Sequence, residues 1–311
     1  MKNVVEVLLG IVLPIFGLVY AGYYFRRLKI CTEEWVHALN EFVFYVSLPA
    51  VIGISFWEMN VRDPHFWSIV GSNTAIMFLY AGLLFFGLHF FSRLRGSLKA
   101  AAFLAGMVGN TVYMGFPLLA DAFGQARLPY GIAAATIQLV LGLVLSLQAV
   151  EYWVVKSKKS WTYFLDFFKN PFFIALLVGI VLSLLNFKGP VAETIQKPVY
   201  MLGATASPVA LFALGGFLHG KFLRHHLGRA VWVSAVKLLA FPVFVWLFAV
   251  ITGMHRDFAA MSVIAASMPS AVTAFVVAEK YHLDEELVVN SILLSTAVSL
   301  ITISVFLAKL I

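Results

Sequence analysis

Charge is scarce in this sequence. Asp, Glu, Lys and Arg together make up 12% of its 311 residues, against about 25% in an ordinary soluble domain. So few charges cannot clothe a water-soluble fold, and the 61% hydrophobic content and mean hydropathy of +0.92 carry the same implication. Cysteine is nearly absent. Cys31 stands alone, which excludes an intrachain disulfide and leaves the redox compartment open. H-E-x-x-H and G-x-S-x-G are missing and the eight His residues show no metal-ligand spacing, so no enzyme chemistry, metal or cofactor is expected. Gly215-Gly216-Phe217-Leu218-His219-Gly220-Lys221 spells most of a phosphate loop, but Phe222 stands where Ser or Thr is required and no strand precedes it. Without a nucleotide site, a primary pump is not expected.

What is present is apolar sequence in stretches of about 20 residues, the length that crosses a hydrocarbon core. Breaks at charges, Pro and Gly divide the chain into helices expected over 5–26, 36–57, 66–92, 99–124, 129–155, 170–187, 195–219, 230–253, 257–280 and 286–309. The fold class is therefore an all-α membrane protein of ten spans. The first run has the basic flank of a signal peptide but continues to about Phe25 before Arg26-Arg27, too long for a signal core, and reads as the first span. The net charge of +7 is scattered in small groups between spans, which orients a membrane protein and argues against a nucleic-acid partner.

The scatter is lopsided. Fourteen Lys and Arg residues fall in the odd-numbered connections, including Arg26, Arg27, Lys29, Arg93, Arg95, Lys99, Lys156, Lys158, Lys159 and Lys169, and seven in the even connections and the ends. The positive-inside rule puts the odd connections in the cytoplasm and both termini outside a cell membrane. Ten spans with both ends on one side divide into 1–155 and 170–311, joined by a short cytoplasmic connection at 156–169. A tandem five-helix unit must then insert its second copy upside down. A weak repeat at an offset of about 158 agrees: Ser47-Leu48-Pro49-Ala50 matches Ser207-Pro208-Val209-Ala210, and Phe116 to Phe123 matches Ala274 to Tyr281 in residue type.

The fourth and ninth helices are interrupted by polar residues, Gly109-Asn110-Thr111 and Gly115-Phe116-Pro117 in one and Ser267-Met268-Pro269-Ser270 with Thr273 in the other. Matched breaks in inverted halves point to a transport site near the midplane. Each half-helix after its break would aim free N–H groups at that midplane, a donor-rich, partly positive spot that suits a carboxylate. Asn110 adds amide donors. Neither break contains Asp or Glu, which counts against a cation site. Asp121 and Glu279 read as solvated acids at helix ends, and Glu41 and Glu151 as interfacial. Gln138 and Asn73 face the bundle, as interhelical hydrogen bonds or as substrate contacts. Lys237 lies about 10 Å into its span, within snorkelling reach. Trp57, Trp67, Trp153 and Trp161 fit aromatic belts.

Asn110-Thr111-Val112-Tyr113-Met114-Gly115-Phe116-Pro117-Leu118-Leu119 is similar to the N-T-L-V-M-G-I-P-L-L segment of the auxin efflux carrier family, which includes the plant PIN-formed proteins. Met268 to Tyr281 is similar to its ninth helix, and Gln138 and Glu151-Tyr152 stand where the family has a glutamine and an E-Y pair. Gly109 and Ala274 stand where plant members have proline, and the short 156–169 connection resembles that of prokaryotic members. The resemblance implies two inverted five-helix repeats, crossing fourth and ninth helices, elevator-type alternating access, a homodimer and carboxylate binding by Asn110. The expected substrate-binding set is Asn110, Thr111, Gly115, Pro117, Gln138, Pro269, Ser270, Ala271 and Thr273. The expected function is secondary transport, as an exporter, of a small organic anion such as an auxin-like acid, malate or malonate. A sodium- or proton-coupled antiporter or symporter of the same plan is the alternative, and a membrane sensor the reading from another class.

Overall fold

A computed structural model describes residues 9, 13–59, 62–124, 127–155, 171–220 and 226–310. Most of the first run up to residue 12, the 156–169 connection with its four lysines and Trp161, and Lys2, Lys221, Arg224 and His225 lie outside the described residues. The described chain is helical throughout. Its segments are α1 (Leu13–Arg27), α2 (Glu33–Glu58), α3 (Pro64–Phe90), α4 (Gly96–Met107), α5 (Phe116–Phe123), α6 (Leu128–Val155), α7 (Pro171–Leu184), α8 (Pro190–Leu218), α9 (Leu227–Thr252), α10 (Arg256–Ala266), α11 (Val272–Lys280) and α12 (Glu285–Leu310). Six of them, α2, α3, α6, α8, α9 and α12, are long and apolar enough to cross a membrane. The eighth segment starts at Pro190 rather than 195 and is interrupted at Thr205, where the backbone makes a tighter turn.

Prolines shape several of these helices. Pro49, Pro117 and Pro242 each stand two residues after the end of a π-helical turn, at 43–47, 111–115 and 236–240. A proline ring clashes with the carbonyl four residues back. The wider turn moves that carbonyl aside and passes the hydrogen bond to the residue five back, as from Leu48 to Val43 and from Phe241 to Val236. Span continuity survives at the cost of a local bend.

Two sets of helices result. In one, α1 packs along α8 and α7 along α2. Glycines set these contacts. A Cβ at Gly22 would strike the Phe212 carbonyl, one at Gly215 the Val19 carbonyl, and one at Gly179 the Gly53 carbonyl. Helices that gain nothing from apolar burial in lipid associate by such close backbone approach. Gly215 and Gly216, part of the phosphate-loop look-alike, are thus helix-packing residues of α8. Side chains stitch the end of the same set: the Trp57 indole donates to the Phe187 carbonyl at 3.0 Å and Arg62 to the Leu184 carbonyl at 3.1 Å.

In the other set, α3 packs on α6, α9 on α12, α10 on α6 and α9, and α4 on α6 and α12. A clasp closes one end. Tyr130 donates to Asp63, the N-cap of α3, at 2.6 Å, and Arg127 pairs with Asp257 at 2.9 Å, with the Phe258 ring in tilted contact with His65, Tyr130 and His255. The two sets meet where α2 leans on α6 and α8 on the 111–115 turn.

Two aromatic-belt assignments are corrected. Trp57 and Trp153 are 8% exposed, because their indoles turn inward to the Phe187 carbonyl and, at 3.4 Å, to His89. Trp67 is exposed as a belt residue should be. Glu151 is buried rather than interfacial, drawn in by the π turn that opens at it. Asp121, Glu279 and Glu41 are exposed.

Candidate functional site

The helix breaks meet. Val108 and Ala271 are extended, the latter two residues after Pro269, which supplies no N–H and biases Met268 away from the helical region. The loosened segments pair as a short antiparallel bridge, Gly109 opposite Ser270. Asn110 N–H donates to the Pro269 carbonyl at 2.7 Å and Ala271 N–H to the Val108 carbonyl at 3.0 Å. Four backbone groups that a broken helix would orphan in the membrane are satisfied by the partner break. Ser270 locks the crossing: its hydroxyl donates to the Ala105 carbonyl at 2.7 Å, and its N–H donates to the Ser295 hydroxyl at 3.0 Å.

Past the bridge the 111–115 turn and α11 both begin, so two helix N-termini start at one point. Asn110, Thr111 and Thr273 leave Nδ2, Oγ1 and Oγ1 without a partner among the described residues. Asn110 is 4% exposed and Thr111 2%, where an unmet donor costs about 1–3 kcal/mol. Gly109, Asn110, Ala271 and Thr273 line a pocket of about 20 Å³, room for a water-sized group. Next to it lies a cavity of about 1030 Å³. Phe44, Tyr113, Phe172, Val272 and Thr273 line both. The large cavity lies between the two helix sets and is bordered by Arg26, Glu33, His219, Glu279 and Lys280 at one end of the bundle. Its walls are mainly apolar, and Val272 and Thr273 at the start of α11 join it to the small pocket at the crossing.

The remaining expected site residues are spread more widely. Gly115 packs against Met268, which would lie 3.3 Å from an added Cβ, and Pro117 is half-buried in α5. Gln138 lines neither cavity. Its Nε2 donates to Asn73 at 2.9 Å and to the Ser262 carbonyl at 3.0 Å, and Asn73 donates to the Ile69 carbonyl and the Ser262 hydroxyl at 3.0 Å each. This network ties α3, α6 and α10 together behind the crossing.

Lys237 does not snorkel. Its α9 begins three residues earlier than expected, at Leu227, and the side chain is 0% exposed. Nζ donates to the Ala266 carbonyl at 3.2 Å, sits 4.5 Å over the Phe241 ring and would lie 2.8 Å from a Cβ at Gly109. Sequence reasoning set Lys237 aside because its depth along one helix suggested an exit to water; the crossing that blocks that exit is tertiary. Phe44, Tyr113 and Phe172 were missed for a simpler reason, since aromatics in an apolar span carry no mark of facing a cavity rather than lipid.

Comparison with known proteins identifies the family. Residues 7–307 match the membrane transport protein family. The chain is 25% identical over 308 residues, 96% of this chain and 97% of the relative, to an uncharacterized transporter of Methanocaldococcus jannaschii. It is 27% identical over 318 residues, 95% of this chain and 93% of the relative, to a Rhizobium meliloti protein that bears the provisional name malonate transporter. Auxin efflux carrier component 3 of Arabidopsis thaliana is 24% identical over 136 residues, 42% of this chain and 21% of the relative. These relatives bear transporter or carrier names. The chain is a multi-pass membrane protein and belongs to the membrane transport protein family that includes the auxin efflux carriers.

Proposed function

We propose that this chain carries a small organic carboxylate out of the cytoplasm, binding it where the two helix breaks cross. The observation that carries the reading is Asn110: a buried amide with Nδ2 unpartnered among the described residues, beside the starts of two helices, in a small pocket that shares Phe44, Tyr113, Phe172, Val272 and Thr273 with a cavity of about 1030 Å³. A carboxylate there would accept from Asn110 and from the Thr111 and Thr273 hydroxyls, and would draw on both helix dipoles. No Asp or Glu lines the pocket at the crossing, which favours an anion over a sodium- or proton-coupled cation. Malonate is a candidate through the relative that bears its name, and auxin-like acids and malate through the family.

Ten spans in two inverted five-helix repeats fit the packing. Exchanging the halves turns the α1–α8 contact into the α7–α2 contact, and the α3–α6 contact into the α9–α12 contact. Ser47 and Thr205, 158 positions apart, share a hydrogen bond of 2.7 Å, as residues near a two-fold axis do. On the positive-inside reading the large cavity opens to the cytoplasm of a cell-membrane protein with both termini outside. Sliding of the second helix set, which holds the crossing, against the first is elevator-type access, and the first set is the natural face for a homodimer. With the inside negative, export of one anionic charge gains about 2.3 kcal/mol per 100 mV without a coupled ion.

The test is flux of labelled malonate, malate and indole-3-acetate in proteoliposomes, with and without sodium, a proton gradient or a membrane potential. Saturable movement of an acid, driven by potential alone, supports the proposal. Movement of sodium or protons with no acid carried would replace it with the coupled-cation reading.

A further inference from the structure

Lys237 is the eleventh residue of α9, about 15 Å into the span at 1.5 Å per residue, which is the middle of a hydrocarbon core about 30 Å thick. The groups around it come from every side. They are the Ala266 carbonyl ending α10, the Phe241 ring one turn on, and the Gly109 backbone of the bridge. From α3, Tyr80 stacks on Phe241 at 4.3 Å and donates to the Val236 carbonyl at 3.3 Å. From α12, the Ser291 carbonyl accepts from Ser234 at 3.4 Å. None of these is a carboxylate, and Lys237 makes no ion pair among the described residues. A buried charge without a counter-ion is strongly disfavoured, so intramembrane lysines pair with something.

The missing partner has a place. Gly109 and Asn110 line the pocket at the crossing, and Lys237 Nζ would lie 2.8 Å from a Cβ at Gly109, so the ammonium and the pocket are neighbours of the same bridge residue. Gly109 has no side chain to hold them further apart. We infer that Lys237 is the fixed positive charge that balances the substrate carboxylate in the loaded carrier. This rests on the proposal that a carboxylate occupies the crossing, and it deepens that proposal by assigning the charge of the moving unit. A carrier loaded with a monocarboxylate then crosses the membrane field as a neutral complex. A dicarboxylate leaves one negative charge uncompensated, and net export moves its charge on the unloaded return. Lys237 acts through the bridge as a positioning and counter-charge residue, not as a direct ligand.

The experiment is exchange of labelled for unlabelled acid with the full chain in proteoliposomes, since exchange cycles only the loaded carrier. Indole-3-acetate is the monovalent probe and malonate the divalent one, each at zero potential and at about 100 mV. A full charge crossing the whole field changes a rate by up to roughly 50-fold per 100 mV. In the native protein, indole-3-acetate exchange should change by less than about two-fold, and malonate exchange, if carried, by severalfold. Lys237→Gln should make indole-3-acetate exchange voltage-sensitive, and Lys237→Arg should keep it insensitive. A native indole-3-acetate exchange that responds about tenfold overturns the inference without need of a variant, and so does a Lys237→Gln protein that stays insensitive. If neither acid exchanges, the carboxylate reading itself fails and this inference falls with it, an outcome distinct from exchange with the wrong voltage dependence.

Discussion

Asn110 donates its main-chain N–H to the Pro269 carbonyl at 2.7 Å, while the side-chain Nδ2 of the same residue has no partner among the described residues. One residue thus divides its work. The backbone holds the two breaks together, and the amide is left for something that arrives from the cavity. Gly109, next to it, is confined between that bridge and Lys237. Gly109→Ala would put a methyl 2.8 Å from Nζ and 3.1 Å from Cε of Lys237. A loss of about 1–3 kcal/mol, typical of overpacking, is expected. Thermal unfolding in detergent should show it, and shortening the neighbour, as in Gly109→Ala with Lys237→Ala, should recover part of the stability.

The α1–α8 seam gives a prediction away from the site. Gly215→Val would drive a branched side chain into the Val19 carbonyl. Because this contact depends on backbone approach, a loss of several kcal/mol and a fall in folded yield are expected. The same change at Gly17, with nothing within 4 Å, should leave yield unchanged.

Gln138, which the sequence offers either as an interhelical hydrogen bond or as a substrate contact, gives its Nε2 to Asn73 and Ser262. Gln138→Leu should therefore cost about 1–2 kcal/mol of stability, the worth of interhelical hydrogen bonds in a membrane. Substrate KM in the surviving folded fraction should move less than about two-fold, which a difference of 0.4 kcal/mol would already produce. A KM raised tenfold with stability intact would return Gln138 to the binding set.

The Asp63 clasp makes stability depend on pH. The Tyr130 hydroxyl, then the His65 N–H, hold the Asp63 carboxyl below its ordinary range. A folded-state pKa lower than the unfolded one contributes stability above the unfolded pKa, near 4, and loses it as pH falls through the folded value. Tyr130→Phe should lower the unfolding midpoint at neutral pH and should bring the native and variant midpoints together as pH falls below the folded-state value of Asp63. Asp63 is only half-buried, so the effect is expected to be small.

Local chemistry was legible in the sequence, and tertiary closure was not. Gly109-Asn110 and Pro269-Ser270 announce broken helices because Gly and Pro weaken any ladder, and the helices they interrupt lie where the hydropathy places them. That each break satisfies the other through Asn110 and Ala271 depends on a contact about 160 residues apart in the chain, which no local pattern encodes. The same limit hid Lys237. Its depth along α9 could be counted, but the elements that wall it off, Gly109, Ala266 and Phe241, come from three places. Trp57 and Glu151 misled for the opposite reason: position near a helix end suggests an interface, but the packing of α7 and the π turn at 151–155 draw them inside. The apolar cavity wall of Phe44, Tyr113 and Phe172 could not be told from lipid-facing surface by composition.

The central claim is that a carboxylate is held at the crossing by the Asn110 amide. The most direct measurement is saturable uptake of labelled malonate and indole-3-acetate into proteoliposomes by the native protein, Asn110→Ala and Asn110→Asp, with unfolding midpoints measured alongside. Loss of a hydrogen bond to a charged group is worth about 1.5–3 kcal/mol, so Asn110→Ala should lower flux at limiting substrate roughly 10- to 150-fold. Its midpoint should hold, because Nδ2 has no partner to lose among the described residues, and Asn110→Asp should be worse through like-charge repulsion. Native flux of an acid that survives Asn110→Ala undiminished would contradict the account.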